Sequence, residues 1–365
     1  MNDEKKRYWV GINMIRGITP RRFHVLLNYF SDLSAVWNAS ESKLREIPSV
    51  KKFAARLVEG RDDGAVNAEM RRCRELGIEL IALEDDAYPE TLRAIPKPPP
   101  LLYMKGQYRR GDRLAIGVVG TRKYTNYGKR MAEKLSGQLS RAGFTVVSGM
   151  ARGIDTFSHQ STLNANGRTV AVMGTGFGVP YPRENVNLMR RIAANGAVFS
   201  EFPLDQGPSR WSFPQRNRVI SGLSRGVLVV EAPARSGALI TAHDALNQGR
   251  EVFAVPGDAR KETMRGTHGL IKDGAKLVED VADVVEEFND LQLRLPLEKG
   301  DVDKRPDLTD EQKEVYEVLG DEPIPFNEVL GRVDFPPGRL SHIIFQLEID
   351  DLVERSDGNL WAKAK

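Results

Sequence analysis

Motifs drawn from glycine, arginine, proline and small hydroxyl residues recur at five points between Gly117 and Gly257, each following a short apolar run. The five are Gly120-Thr121-Arg122, Ser148-Gly149-Met150-Ala151-Arg152-Gly153-Ile154-Asp155, Gly174-Thr175-Gly176, Phe213-Pro214-Gln215-Arg216-Asn217-Arg218 and Ser236-Gly237-Ala238. Glycine lets a backbone approach a ligand closely, a helix start offers free N–H groups, and arginine presents a planar fork that matches phosphate. Brought to one surface, these residues would hold a polyanion. Arg216-Asn217-Arg218 at a helix start suits a phosphodiester backbone. The neighbouring rings of Trp211 and Phe213 suit either base stacking or core packing.

Other chemistries are less well supported. Asp155 and His159 are one helical turn apart and near Ser148, but no G-x-S-x-G elbow exists, and an Asp at a helix start reads as a cap. Glu201 and Glu231 each end a strand and could do acid–base work; pairing with cleft arginines is the favoured reading. Gly120-Thr121-Arg122 lacks both the G-x-G-x-x-G dinucleotide fingerprint and the acidic residue that should follow it, and no P-loop is present. The five histidines show no metal-ligand spacing. The single Cys73 excludes an intramolecular disulfide and a cysteine zinc site, and reads as an inert thiol in a reducing cytosol. No cofactor is implied.

The elements that would position these motifs alternate. Apolar runs at 114–119, 144–147, 168–173, 197–200, 226–230 and 251–255 predict strands buried on both faces. Helical spacing predicts helices near 126–142, 155–164, 184–195, 215–223 and 239–248. Such alternation predicts a doubly wound α/β parallel sheet, with ligands at the carboxyl ends of its strands. Residues 1–85 read as short helices, with Thr19 capping one that starts at Pro20, and resemble SAM-like or helix-hairpin-helix domains. Tyr88-Pro89 and the prolines at 96–100 read as a stiff entry to the core over 86–288. A polar linker is predicted over 289–308. Residues 309–365 read as helix, helix, helix and hairpin wing: a winged-helix module whose first helix is capped by Thr309 and Gln312.

Charge separates these parts. Residues 1–100 hold 17 Lys+Arg against 15 Asp+Glu, residues 101–260 hold 22 against 10, and residues 291–365 hold 10 against 17. Of the 22 cations in the middle, 18 are arginine. A basic surplus confined to one domain is the footprint of a nucleic-acid binder. No run of eighteen apolar residues predicts a membrane span, and the polar N-terminus does not read as a signal peptide.

The ordered motifs resemble the DprA/Smf family of DNA-processing proteins along nearly the whole chain. The resemblance is carried by Asp86-Ala87-Tyr88-Pro89 through Pro98-Pro99-Pro100-Leu101-Leu102-Tyr103-Met104-Lys105-Gly106, by the five motifs above, and by Tyr181-Pro182, Ser200-Glu201-Phe202-Pro203 and Gly249-Arg250-Glu251-Val252-Phe253-Ala254-Val255-Pro256-Gly257. It implies a Rossmann-like core with an N-terminal helical domain and a C-terminal winged helix. It also implies a cytoplasmic, non-enzymatic protein that binds and protects single-stranded DNA and helps load RecA, as in natural transformation. Members form homodimers through the Rossmann-like domain. Carried over by motif, the DNA site would comprise Gly120, Thr121, Arg122, Ser148, Gly149, Arg152, Arg168, Gly174, Gly176, Arg216, Asn217, Arg218, Ser236 and Gly237. One departure is His268, where members usually have Asn, which puts one loop contact in question.

The rival reading is a nucleotide ribosyl hydrolase of the related lysine-decarboxylase-like group. That group carries P-G-G-x-G-T-x-x-E, whereas this chain has Arg235-Ser236-Gly237-Ala238-Leu239-Ile240-Thr241, without the catalytic Glu. A duplex-binding repressor is disfavoured by the acidic last module. Its segment 337–349 offers Arg339 and His342 against Glu348, with Asp350 and Asp351 following, so it would repel phosphates. Deleting residues 296–365 is therefore expected to leave single-stranded DNA affinity unchanged or raised. Anisotropy titration of a labelled oligonucleotide checks this; a large loss of affinity in the folded truncation counts against it.

Overall fold

The computed structural model describes residues 2–30, 32–288, 308–320, 323–349, 352–356 and 360–363. The chain divides into two compact units, Met1–Leu295 and Pro296–Lys365.

The first unit is built on nine strands: β1 (Glu79–Ala82), β2 (Leu101–Gly106), β3 (Ala115–Val119), β4 (Thr145–Ser148), β5 (Thr169–Met173), β6 (Ala197–Ser200), β7 (Gly226–Val229), β8 (Glu251–Ala254) and β9 (Lys276–Leu277). Their order across the sheet is β1-β2-β6-β5-β4-β3-β7-β8-β9, parallel from β6 to β9 and antiparallel where β2 meets β6 and β1 meets β2. The direction of winding therefore reverses between β3 and β7, which opens a crevice at their carboxyl ends.

Strand residues alternate between two helix layers. Ile116, Val118, Val146, Leu228 and Phe253 pack with Ala132, Leu135 and Leu139 of the helix Asn126–Arg141 and with Ile154 of the helix Ile154–Asn164. Val119, Val147, Val172, Val227 and Val229 pack on the opposite face with Ile220 and Leu223 of the helix Ser212–Leu223, Ala238 and Ala242 of the helix Gly237–Asn247, and Leu270 of the helix Arg265–Lys272. Burial on both faces is why these strands are continuously apolar.

The helical region does not stop at residue 85 as a body apart. Glu79–Ala82, placed with the helices by sequence, is the edge strand β1, and Trp9, Phe23, Leu26 and Leu57 share one buried cluster with Tyr103, Ala171 and Val198 of the sheet. Within this region Thr19 Oγ1 accepts from the Arg22 N–H (3.3 Å), as its capping role requires. Cys73 is buried, which pushes its thiol up to about 12 and keeps it protonated.

In the second unit, helices Asp310–Val318, Phe326–Leu330 and Pro337–Ile349 enclose Val315, Leu319, Leu340, Ile343 and Leu347, and the hairpin Val353–Ser356 with Leu360–Lys363 forms the wing. Thr309 and Gln312 form the capping box. Arg339, the one arginine of the third helix, is bonded to Glu311 at 2.5 Å. Of the predicted linker, 289–307 lies outside the described residues, as do 357–359 of the wing turn. No helix among the described residues is long and apolar enough to cross a membrane.

The fold corrects one site residue. Arg168 precedes β5 and so stands at the amino edge of the sheet, opposite the crevice. Its guanidinium donates to buried Asp112 (2.8 and 2.7 Å), to Asn195 O (2.6 Å) and to Gln107 O (2.8 Å). Asp112 also accepts from Thr145 Oγ1 (2.9 Å) and the Arg109 N–H (2.7 Å). This arginine staples strand ends together. Arg168→Ala should cost about 3–5 kcal/mol by stranding a buried carboxylate, yet leave the folded protein's oligonucleotide affinity unchanged. Urea unfolding and a binding titration check the two halves.

Candidate nucleic-acid interface

The crevice between β3 and β7 is a pocket of about 300 Å3. Gly120, Thr121, Arg122 and Lys123 from the turn after β3 form one wall, and Arg235, Ser236 and Gly237 from the turn after β7 form another. The start of the helix Ser212–Leu223 supplies Phe213, Arg216 and Asn217. Close packing shapes the first turn: a Cβ on Gly120 would lie 2.6 Å from Ile154 Cγ1. Gly153, at φ +81 and with Thr121 O 2.5 Å from where its Cβ would be, is held in a backbone state that favours glycine.

Arg122, Lys123 and Arg235 are exposed and form no ion pair among the described residues. The Arg122 guanidinium lies 4.9 Å from the centre of the half-buried Phe213 ring, which also meets Tyr181 at 5.7 Å. Ser236 caps the helix Gly237–Asn247 by accepting from the Ala238 N–H (3.2 Å), and Asn217 Nδ2 donates to Gly237 O (3.2 Å). The pocket thus combines three free cations, a helix start and one aromatic face.

Arg216 is a different kind of residue. It is buried and its Nη1 donates to the carbonyls of Gly149 and Val172, the latter at 2.5 Å. Burial lowers its pKa to about 10, so it stays charged at neutral pH beneath the pocket, near buried Asp155. Burial also raises the Asp155 carboxyl, against the opposing pull of Arg216. Asp155 lies in the first turn of the helix Ile154–Asn164 and accepts from the Ala151 N–H (3.3 Å), while Gly153 occupies the cap position itself.

The remaining predicted residues do not join the pocket. Ser148 is fully buried and donates to Val118 O (2.6 Å). Gly149 backs onto Arg216, Gly174 lies under Phe213, and Gly176 is pressed against Pro203 O. Arg152 is exposed at the same sheet edge but bonded to Glu184. Arg218 is nearly buried, paired with Glu201 and donating to Lys97 O (2.5 Å). Lys123 and Arg235 were not selected by sequence, although each directly adjoins a selected motif residue.

The alternatives lose their chemistry here. Burial drops His159 to about 3, so its imidazole is neutral, and its Nδ1 is 2.7 Å from Thr169 Oγ1. Glu201 pairs with Arg218 as expected. Glu231 does not pair with an arginine: it accepts from the Thr125 N–H (2.9 Å) and hydroxyl (3.3 Å). Among the described residues no cluster of His, Cys, Asp and Glu could hold a metal. His268 Nε2 reaches Gly257 O at 3.1 Å, so the substituted residue still makes a loop contact.

Comparison with known proteins agrees with this architecture. A family model described as DNA recombination-mediator protein A matches residues 79–289, and one described as the DprA winged helix domain matches residues 301–359. Protein Smf of Synechocystis sp. is 32% identical over 392 residues, 98% of each chain. DNA processing protein DprA of Bacillus subtilis is 45% identical over 218 residues, 59% of this chain and 73% of that protein. The X-ray structure of DprA from Streptococcus pneumoniae superposes with a TM-score of 0.68 at 35% identity, over 77% of this chain and 98% of that one. DNA processing protein A from Helicobacter pylori, described for its single-stranded DNA binding mode, gives a TM-score of 0.52 at 27% identity, over 57% and 95%.

Arg122 is the most exposed test of the pocket. Arg122→Ala is expected to weaken oligonucleotide binding about 10- to 100-fold with folding intact. Arg122→Lys should recover only part of the loss, since lysine keeps the charge without the fork. Wild-type affinity in purified Arg122→Ala would place the ligand elsewhere.

Proposed function

The chain belongs to the DprA/Smf family of DNA recombination mediators, and from that premise we propose that it binds single-stranded DNA across the crevice between β3 and β7. One observation carries the reading: Arg122, Lys123 and Arg235, all exposed and without an ion pair among the described residues, line one pocket with the half-buried ring of Phe213, over which Arg122 lies. Cations that track a backbone beside a ring on which a base can stack are what single strands require.

In this reading Gly120, Thr121, Asn217, Ser236 and Gly237 offer backbone and side-chain donors to phosphate, and Arg216 adds charge from below. Arg152 joins only where DNA displaces Glu184. The protein shields the strand, assists loading of a RecA recombinase in homologous recombination, and serves incoming DNA in natural transformation. It acts in the cytoplasm as a homodimer formed through the sheet unit, without catalysing a covalent step.

Binding is expected to favour single strands over duplex of equal length, with little sequence preference. Its logarithmic salt slope should be roughly −2, from three phosphate contacts at about −0.7 each. Titrations at several salt concentrations check both. Salt-independent binding, or equal affinity for duplex, would refute the reading.

A further inference from the structure

A second cavity, of about 530 Å3, lies beside the same helix start. One wall is the turn 13–20 of the helical region; the other is the loop 201–206 with Trp211 and Gln215. Trp211 is 54% exposed, whereas Trp9, Trp37 and Trp361 are 3%, 8% and 8% exposed. Its indole meets the Phe202 ring edge-on at 5.7 Å, which supports it from one side and leaves a face open. The walls are tied together: Arg72 grips Asp205 at 2.6 and 2.8 Å, Glu69 accepts from the Leu204 N–H (2.7 Å), and Asn13 Nδ2 donates to Glu201 O (3.2 Å).

The lining chemistry selects the ligand. Glu69, Glu201 and Asp205 face the cavity as acceptors, with Glu201 and Asp205 already paired to Arg218 and Arg72, and Arg16 is the one arginine among the lining residues, so groups that donate hydrogen bonds fit better there than a phosphate. Amino and ring N–H groups are favoured, because the cavity is rich in acceptors; Glu201 Oε1 is buried without a donor among the described residues. Phe213 lines the first pocket and Trp211 the second, two residues apart in sequence, so the two pockets flank the start of one helix.

We propose that this cavity takes an unstacked nucleobase of the same strand whose phosphates rest on Arg122, Lys123 and Arg235, with Trp211 as its stacking face. The proposal rests on the single-stranded DNA reading above. It gives the helical region a part in binding, as the far wall of a base site.

Trp211 is the one exposed tryptophan among the described residues, so intrinsic fluorescence reads it directly. Full-length protein is titrated with an oligo(dC) of about 12 nucleotides, following tryptophan emission and, with a labelled copy, anisotropy. The wild type should show saturable quenching that tracks binding. Trp211→Phe should lose the quenching and keep most of the affinity, and Trp211→Ala should bind roughly tenfold or more weakly. Binding by anisotropy without quenching overturns the base site while leaving the function standing. Absence of binding in the wild type overturns the function, and this proposal with it.

Discussion

A buried carboxylate at the end of β7 governs the shape of the crevice. Glu231 is fully buried and forms no ion pair among the described residues. It accepts instead from the N–H and hydroxyl of Thr125 at the start of the helix Asn126–Arg141. Gly128 is so close that a Cβ there would lie 1.9 Å from Oε2. The Glu231 backbone carbonyl accepts from the Thr121 N–H at 2.7 Å. The turn after β3 is thereby pinned to the end of β7 across the point where the winding reverses. Arg122 and Lys123, carried on that turn, are left facing outward. The same carboxylate occupies one helix start, so the donors left for a ligand are those around Ser236 and Gly237.

Burial sorts the arginines. A guanidinium largely removed from water turns donors to protein oxygens. Arg216 spends them on two carbonyls that end β4 and β5, Arg168 on Asp112 and two carbonyls at the opposite edge, and Arg218 on Glu201 and the proline-rich segment. Each bond closes a contact between segments distant in sequence. These residues stabilise the sheet edges, and only Arg216 also adds its field to the pocket. The cations free to meet a ligand are the ones on turns that solvent reaches.

The helical region is part of this frame. Its bonds to Leu204 and Asp205 fix the loop after β6, which leads into the helix that carries Phe213, Arg216 and Asn217. That loop is also packed from within: Gly176 donates to Gln206 O at 2.8 Å, with no room for a side chain. The glycines selected as ligand contacts at 174 and 176 are small because neighbouring segments press on them.

Local pattern was enough for the six core strands from β3 to β8 and the helices between them. The runs of Val, Ile and Ala, the caps at Thr19 and Thr309 and the alternation of strand with helix are properties of neighbouring residues, and the strand at 197–200 lies where its apolar run does. The convergence of motifs at one sheet edge also followed, because a parallel sheet puts every strand's carboxyl end on the same side. Sequence could not reveal that Glu79–Ala82 joins the sheet through an antiparallel pair, since pairing is a contact at long range. Nor could it separate Arg122 from Arg168 or Arg218. All three have the same side chain beside an apolar element. Their roles diverge because Arg168 precedes its strand, Arg218 points toward buried Glu201, and Arg122 stands on an exposed turn, and only the folded chain decides which oxygens each guanidinium meets.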